Sequence, residues 1–232
     1  DLLAQIEDAS ATRLSEVTTA IGRTTHTGED NVFSVDAGWV NRKDAAGFTV
    51  QLVEGEHVRD HILTTNVETI FPYDKQTAVV LDRLPLSISR HFWMYRGLMK
   101  ARKDFGNYIE DRGLRWYEHS MFFPERYKTQ QGIAFADIAT HNHFVLDRGG
   151  KVFKQTAPVI KLPAGSSEDE HLGLLGLLNS SVACFWFQQV CHNKGGPGGG
   201  SSKDEKWHDF YAFNSTKVAE FPLGSERPVR LA

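Results

Sequence analysis

The run T-H-N-H at 140–143 concentrates side chains that could do chemistry. On a strand, His141 and His143 would lie on one face, as two imidazole ligands of a metal ion must. Two ligands do not make a site, and the next acidic residues, Asp137 and Asp147, have no diagnostic spacing. The metal interpretation therefore rests on two residues only.

The same run has two other interpretations. In the first, His141, Asn142 and His143 lie on a loop that faces base edges, where an Asn side chain pairs bidentately with adenine. In the second, the run is a turn whose polar groups satisfy one another. An HNH nuclease is not indicated, because those letters stand far apart in that motif.

The stretch from Arg83 to Lys103 contains basic residues and no acidic one. They are Arg83, Arg90, Arg96, Lys100, Arg102 and Lys103. Since the whole chain has a net charge of −3, a DNA surface would have to be a local patch of this kind. Arg96, Lys100, Arg102 and Lys103 are the candidate contacts, and a solvated helix face is the alternative.

A third candidate is the glycine- and serine-rich stretch 195–202. It is either a flexible excursion or a loop whose backbone approaches phosphates, with charge from Lys194, Lys203 and Lys206. Trp207 would then stack or insert, although a core position is the other possibility.

No set of residues selects a catalytic reaction. Ser and His are abundant, but no spacing defines a nucleophile triad, and no Gly-Lys-Ser/Thr sequence indicates a phosphate loop. The adjacent acids Glu168 and Asp169 are explained as charges at a helix start. We therefore assign no catalytic residue, metal or cofactor to the chain.

Two helices are expected to position these groups. Ser167 with Glu170 forms a capping box, and apolar residues at three- and four-residue steps predict one buried helix over 167–191, closed by Gly195. Its polar interruption at 179–181 leaves it short of a membrane span. The second helix is predicted from Leu86 to Gly106, with basic residues on one side.

Strands are predicted in a β-rich centre and before it. The segments are Val32–Val35, 48–53, QTAVVLDRL at 76–84, GIAFADIAT at 132–140, HFVLD at 143–147 and KVFKQTAPVIKL at 151–162. A turn is expected at 27–30 and a short helical stretch around His57–His61. Pro158 predicts that the last strand is an edge or a bulged one. The fold class is α+β, with a curved, mainly antiparallel or mixed sheet and the two helices packed on it.

Size and composition are those of a globular protein. The chain has 232 residues, 41% hydrophobic and 24% charged. Cys184 and Cys191 are about 10 Å apart along one helix, too far for a disulfide, which favours a reducing cytoplasm. The opening DLLAQIEDAS starts in mid-pattern without a leader, so we interpret the chain as part of something longer.

Three blocks carry a family resemblance: IAFADIATHNHFVLD, LLGLLNSSVACFWFQQVCHNKGG and FYAFNSTKVAEFPL. Together they resemble the C-terminal specificity region of bacterial adenine-N6 DNA methyltransferases. The types are the TaqI-like single-chain restriction-modification enzymes and, more closely, the methyltransferases of phage-exclusion (BREX/Pgl) systems. The resemblance covers about Thr27 to Leu223, and it rests on the order of the blocks rather than on one motif.

The resemblance implies a division of labour. Residues 27–223 would be a DNA target-recognition domain, 1–26 a connecting helical segment and 224–232 a tail. The partners would be double-stranded DNA, the N-terminal methyltransferase domain of the same parent and other phage-defence subunits. The protein would work in the bacterial cytoplasm, and no membrane is expected among its partners. S-adenosylmethionine would bind the missing catalytic domain, which would flip and methylate the adenine. The stretch 70–73, IFPY, departs from the family's catalytic motif because Ile70 and Phe71 lack the amide or acid that holds the adenine amino group.

Two other functions remain. A protein-interaction module would dock other subunits through the aromatic C-terminal segment and the edge strand, which suits the acidic balance. An independent hydrolase would need chemistry that no spacing indicates. A continuous positive groove favours DNA recognition, whereas an apolar patch favours docking.

Overall fold

Short apolar runs between turn residues give this chain many short strands. A computed structural model describes residues 1–10, 12–196, 208–224 and 228–229. The helices are α1 Leu2–Asp8, α2 Leu14–Val17, α3 Asp30–Phe33, α4 Ala37–Lys43, α5 Leu86–Met94, α6 Arg96–Ala101, α7 Pro124–Lys128, α8 Glu168–Leu178, α9 Ser181–Val190 and α10 Ser215–Ala219. The strands are β1 Ala20–Gly22, β2 Thr25–His26, β3 Ser34–Val35, β4 Thr49–Val53, β5 Val58–Arg59, β6 Ile62–Leu63, β7 Glu68–Ile70, β8 Lys103–Asp104, β9 Asn107–Tyr108, β10 Met121–Phe122, β11 Gly132–Phe135, β12 Ile138–Ala139, β13 Phe144–Asp147, β14 Lys151–Phe153, β15 Val159–Lys161, β16 His192–Gly195 and β17 Phe210–Ala212.

The strands form several sheets rather than one. The first sheet has the order β1-β15-β11-β13 and is antiparallel throughout. The second has the order β14-β4-β7-β3, with β14 and β4 parallel. A third sheet, β12-β17-β16, and three two-stranded ribbons complete the set among the described residues. The α+β prediction with mainly antiparallel pairing is confirmed, but the single curved sheet is replaced by several smaller ones.

The largest core lies between the first sheet and the helix pair α8–α9. Trp186 and Phe187 are buried there, and the ring of Phe187 stacks on Phe221 with centroids 5.1 Å apart. Phe213 and Phe221 are each 1% exposed. The aromatic C-terminal segment therefore packs back onto the body, as its composition predicted, and these two rings are not available to a partner.

The long helix predicted over 167–191 is two helices. The capping box of Ser167 and Glu170 is present at the start of α8, but α8 ends at Leu178 and Ser180 caps α9 by accepting a hydrogen bond from the Ala183 N–H. The prediction of one helix was wrong because the polar residues between the two halves bond to other parts of the fold. The predicted end was also wrong: α9 stops at Val190, and Gly195, with φ of 82°, ends strand β16 instead.

The helix predicted over 86–106 is likewise divided, into α5 and α6. Tyr95 is the shared cap residue, with φ of −105° and ψ of 12°, outside the helical region. The helix α6 ends at Ala101 and the chain forms a hairpin from Lys103 onward, so the last five residues of the prediction were wrong.

Several strand predictions also need correction. Val32 and Phe33 belong to the helical turn α3, and only Ser34–Val35 is extended. The stretch 76–84 has no strand beyond an isolated bridge between Tyr73 and Val80. The stretch 57–61, predicted helical, enters the hairpin β5–β6.

Proline 158 does not mark an edge strand. It immediately precedes β15, which lies inside the first sheet between β1 and β11. Proline lacks the N–H that a central strand must donate, and placing it just before the first paired residue avoids that loss. Its carbonyl still accepts a bond from the Phe135 N–H, at 3.0 Å.

Residues before 27 pack onto the same body. Leu14 is fully buried and its N–H donates to the Phe221 carbonyl, while Glu7 accepts a hydrogen bond from the Trp186 indole. Strand β1 completes the first sheet. The boundary at residue 27 and the separate tail stay predictions. Among the described residues, no helix is both long and apolar enough to cross a bilayer.

Leu178 tests the assignment of α8 to the core. It is fully buried, so Leu178→Ala should lower the free energy of unfolding by about 2–5 kcal/mol through the transfer energy of the removed atoms and the cavity left behind. Val182, which is 52% exposed, is the matched control, and Val182→Ala should lower the free energy of unfolding far less. Equal effects in urea denaturation would show that Leu178 is not in the core.

Candidate nucleic-acid interface

A cleft opens between α4 and α5, above the edge of the second sheet. Its volume is about 1060 Å³. The lining residues are Asn31, Ser34, Val35, Asp36, Trp39, Arg42, Lys43, Asn66, Val67, Leu86, Ser87, Arg90, His91, Met94 and Tyr95. Both walls are helices whose inner faces are anchored in a second core around Phe33 and Phe92, with ring centroids 5.1 Å apart.

Local capping positions the wall formed by α4. The Asp36 carboxylate accepts a hydrogen bond from the Trp39 N–H at 2.7 Å, which starts the helix. Asp44 ends it in the left-handed conformation, with φ of 49°. Arg42 and Lys43 therefore fall in the last turn, where positive charge complements the helix dipole.

The cleft carries an excess of positive charge. Arg42, Lys43 and Arg90 are exposed, and within the described ranges none of the three forms an ion pair with a carboxylate. The one acidic residue of the lining, Asp36, is engaged as a helix cap. A phosphate would thus meet free cations here.

Aromatic and amide side chains complete the lining. The rings of Trp39 and His91 meet edge to face with centroids 5.0 Å apart, and His91 Nε2 lies 2.8 Å from the Val32 carbonyl oxygen. Asn31 and Asn66 are exposed amides, the group that pairs bidentately with adenine. The cleft thus offers groups for phosphate contact and for base contact together.

Three of the predicted basic contacts remain on the surface. Arg96 is exposed, with its guanidinium 4.9 Å from the centre of the Trp93 ring. The Lys103 ammonium lies 4.4 Å from the centre of the Tyr108 ring. Lys100 is instead paired with Glu110 at 2.8 Å, so its charge is partly neutralised.

Arg102 does not belong to that surface. It is 5% exposed, and its guanidinium donates to the carbonyls of Met99 at 2.9 Å, Trp116 at 2.7 Å and Glu118 at 2.8 Å, and to that of Thr27. Burial lowers the pKa of Arg102 to about 10. The prediction of a phosphate contact was wrong for Arg102, because its donors hold loops together inside the protein.

The run 140–143 lies on a loop before β13 and not on a strand. Asn142 is 5% exposed, and its Nδ2 donates to the Leu178 carbonyl at 2.6 Å. Asn142 is therefore corrected from a base-reading candidate to a structural residue. His143 is also buried, whereas His141 stays exposed.

The metal interpretation gains a different third residue. Ligand atoms of Asp60, His141 and His143 lie within 4.8 Å of one another, whereas Asp147 pairs with Lys151. However, His143 Nδ1 accepts a hydrogen bond from the Asp60 N–H at 3.0 Å. A neutral imidazole has one acceptor nitrogen, and a metal ligand normally donates its other N–H, so this bond opposes coordination. Burial and the neighbouring His141 lower the pKa of His143 to about 4, which keeps the ring neutral.

The third candidate region is only partly described. Lys194 is exposed on β16. Lys203, Lys206, Trp207 and the glycine-rich loop from 197 lie outside the described residues, so those predictions stay predictions.

Sequence reasoning missed Arg42, Lys43, Asn31 and Asn66. The only local signal was the basic end of a short helical segment, DAGWVNRK at 36–43. These residues become neighbours of Arg90 only because α4 and α5 face each other across β3, which no spacing in the sequence reveals.

The fold and the cleft thus define an α+β module with a positively charged, aromatic-lined surface. Over its whole length the chain is 38% identical, across 239 aligned residues, to the adenine-specific methyltransferase PglX of Streptomyces coelicolor. The chain spans 20% of the length of that relative. No family model matches the sequence. The structure of the Type IIL restriction-modification enzyme MmeI in complex with DNA aligns with 78% of the chain and 23% of its own, at a TM-score of 0.49 and 11% identity.

Arg102 provides a test of its structural role. Arg102→Met keeps the aliphatic length but removes a donor from four carbonyls, of which that of Thr27 still accepts from Ser120, and we expect the free energy of unfolding to fall by about 3 kcal/mol or more. Lys103→Met, at the exposed neighbour, should change it by no more than about 0.5 kcal/mol. Guanidinium denaturation would refute the role if both variants unfolded at the wild-type midpoint.

Proposed function

We propose that this chain is a DNA target-recognition module of a longer adenine-specific DNA methyltransferase that marks host DNA in phage defence. The observation that carries the proposal is the cleft between α4 and α5, which brings together three exposed cations without a carboxylate partner in the described part of the chain, two exposed amides and aromatic rings. The similarity to PglX supports the link to an adenine-specific methyltransferase.

The cleft suits both tasks of a recognition module. Arg42, Lys43 and Arg90 would contact phosphates, which positions the duplex without reading its sequence. Asn31 and Asn66 would read base edges, each good bidentate contact contributing about 1–3 kcal/mol of discrimination. Arg96, Lys103, His141 and Lys194 extend the proposed surface, and Lys203 and Lys206 remain candidates.

The remaining parts of the reaction would lie elsewhere in the parent. Its catalytic domain would bind S-adenosylmethionine and methylate the flipped adenine, while residues 27–223 place the duplex. Double-stranded DNA, the catalytic domain and other defence subunits are the proposed partners, in the bacterial cytoplasm.

Removing the cleft charges tests phosphate contact. In the full-length parent, changing Arg42, Lys43 and Arg90 together to Ser should weaken binding to all duplexes. The slope of log K against log salt should fall by about 0.9 for each phosphate that the protein no longer neutralises. The methylated motif should not change, since phosphates carry no sequence information.

The control for that measurement is a variant in which the same amount of charge is removed elsewhere. Lys128, Arg148 and Lys217 are each held in ion pairs on other surfaces, so changing them together to Ser should leave the salt slope as in the wild type. An equal fall in both triple variants would mean that the effect is one of net charge and that the cleft does not bind DNA.

Docking is a second candidate function, and one observation favours it. Leu86, Trp93, Met94 and Leu98 are 49–73% exposed on α5 and α6, more apolar surface than a DNA contact requires. The surfaces first expected to dock are less accessible, because the rings of Phe213 and Phe221 are buried and β15 is a central strand, although Phe210 and Tyr211 are only half-buried.

A chimera separates the two functions. Replacing this region of the parent by the equivalent region of a relative with a different motif should change which adenines are methylated and leave the methylation rate similar. Sequencing methylated DNA from cells with the chimera gives the answer. An active chimera that still marks the original motif would place target recognition elsewhere and leave docking as the function.

A further inference from the structure

The hairpin β8–β9 ends in a residue that neither the turn nor the core explains. Its two strands pair Asp104 with Asn107, so the turn consists of Phe105 and Gly106 alone. Their φ angles are 51° and 84°, both left-handed, as in a type I′ turn. Such turns favour Asn-Gly, and a bulky residue at the first position is an outlier.

Phe105 obtains no burial in return. Its side chain is 84% exposed, the largest value among the exposed large hydrophobic residues of the described chain. A phenyl ring at a strained and solvated position stabilises neither the turn nor a core. The unfavourable choice therefore points to a contact outside this chain.

The hairpin that carries Phe105 is held in place by contacts on both of its strands. Asp104 pairs with Arg112 at 2.6 Å, and Arg112 also donates to the Ser120 carbonyl at 2.9 Å. The Lys103 ammonium lies over the Tyr108 ring, and the buried guanidinium of Arg102 anchors the base of the hairpin. Because the hairpin backbone is held in this way, Phe105 can contact a partner with little further loss of backbone conformational entropy.

Charge identifies the kind of partner. Apart from the buried Arg102, residues 86–115 contain six Lys and Arg and three Asp and Glu, a net charge of +3 in a chain whose total is −3. Lys100, Arg112 and Arg115 are paired with carboxylates, whereas Arg90, Arg96 and Lys103 have no carboxylate partner among the described residues. An apolar side chain surrounded by positive charge suits duplex DNA, because the duplex has anionic phosphates outside and stacked, largely apolar bases inside.

We propose that Phe105 is a wedge that inserts between stacked base pairs of duplex DNA, while Lys103 and Arg96 contact the flanking phosphates. The inference rests on the proposed function. Insertion unstacks one base step and kinks the helix, as apolar side chains do in other DNA-binding proteins. An opened step also makes a neighbouring base easier to extrude.

The test uses the full-length methyltransferase and a duplex that contains its mapped methylation site. 2-Aminopurine replaces each base of the site in turn, and its fluorescence rises where stacking is lost. With wild-type enzyme we expect a rise at the adenine that the catalytic domain flips and at one further base step, where the ring inserts. In Phe105→Asn the rise at that further step should disappear and the affinity should fall at least tenfold, whereas Phe105→Trp should keep both.

Stability separates a wedge from a structural residue. Because Asn tolerates the left-handed conformation better than Phe, Phe105→Asn should melt at the same temperature as wild type or slightly higher. Val182→Asn, at another exposed apolar residue, should leave the fluorescence and affinity unchanged. Weaker binding together with a lower melting temperature in Phe105→Asn, or disappearance of the rise in Phe105→Trp as well, would overturn the wedge.

Failure of the two proposals gives different results. If the triple Ser variant of the cleft weakens binding but Phe105→Asn binds and unstacks DNA as the wild type does, only the wedge is wrong. If neither variant changes DNA binding, this chain does not contact DNA and both proposals fail. Loss of methylation in Phe105→Asn with unchanged DNA affinity and fluorescence would place the ring against the catalytic domain instead.

Discussion

Two amide side chains hold the break between α8 and α9 against the start of β13, and the main core depends on that contact. Asn179 Nδ2 donates to the Phe144 carbonyl at 2.9 Å, and its Oδ1 accepts from the Phe144 N–H at 3.0 Å. From the other side, Asn142 donates to the carbonyl of Leu178, the last residue of α8. The end of a helix leaves backbone carbonyls without a partner, and an unpaired polar group is costly when it is buried. The hydrogen bonds of Asn142 and Asn179 satisfy such groups, so the helix can break within the core.

The same principle operates around Arg102. Four carbonyls from three separate segments converge on one buried guanidinium, which ties α6 and the hairpin to the turn at Thr27 and to the loop at 116–118. A charged group is normally excluded from the interior of a protein. The guanidinium of Arg102 is tolerated there because its N–H donors pair with backbone carbonyls of several loops at once. Asn142 and Arg102 use their hydrogen-bonding groups inside the fold. They are therefore not available on the surface to bind a ligand.

The positive charge that remains on the surface is local. The second core fixes α4 and α5 at a distance that opens a cleft, and the cations of both helices collect there in a chain that is acidic overall. Beyond it, α6 and the hairpin carry more positive charge with exposed rings. Segregated charge of this kind attracts a polyanion through short-range contacts while the net charge limits non-specific binding.

Local patterns, together with the order of a few longer blocks, were enough to determine much of this protein. The capping box at Ser167, the burial of Leu178 and the packing of the Phe213–Phe221 segment followed from spacing and composition, and the order of three sequence blocks indicated the methyltransferase relationship. Tertiary structure decided the rest: whether a polar residue breaks a helix, whether Pro158 precedes an edge or a central strand, and which cations share a surface. The physical reason is that Asn, Arg and His satisfy their hydrogen bonds equally well with a distant carbonyl or with a ligand, and only the fold determines which of the two is within reach.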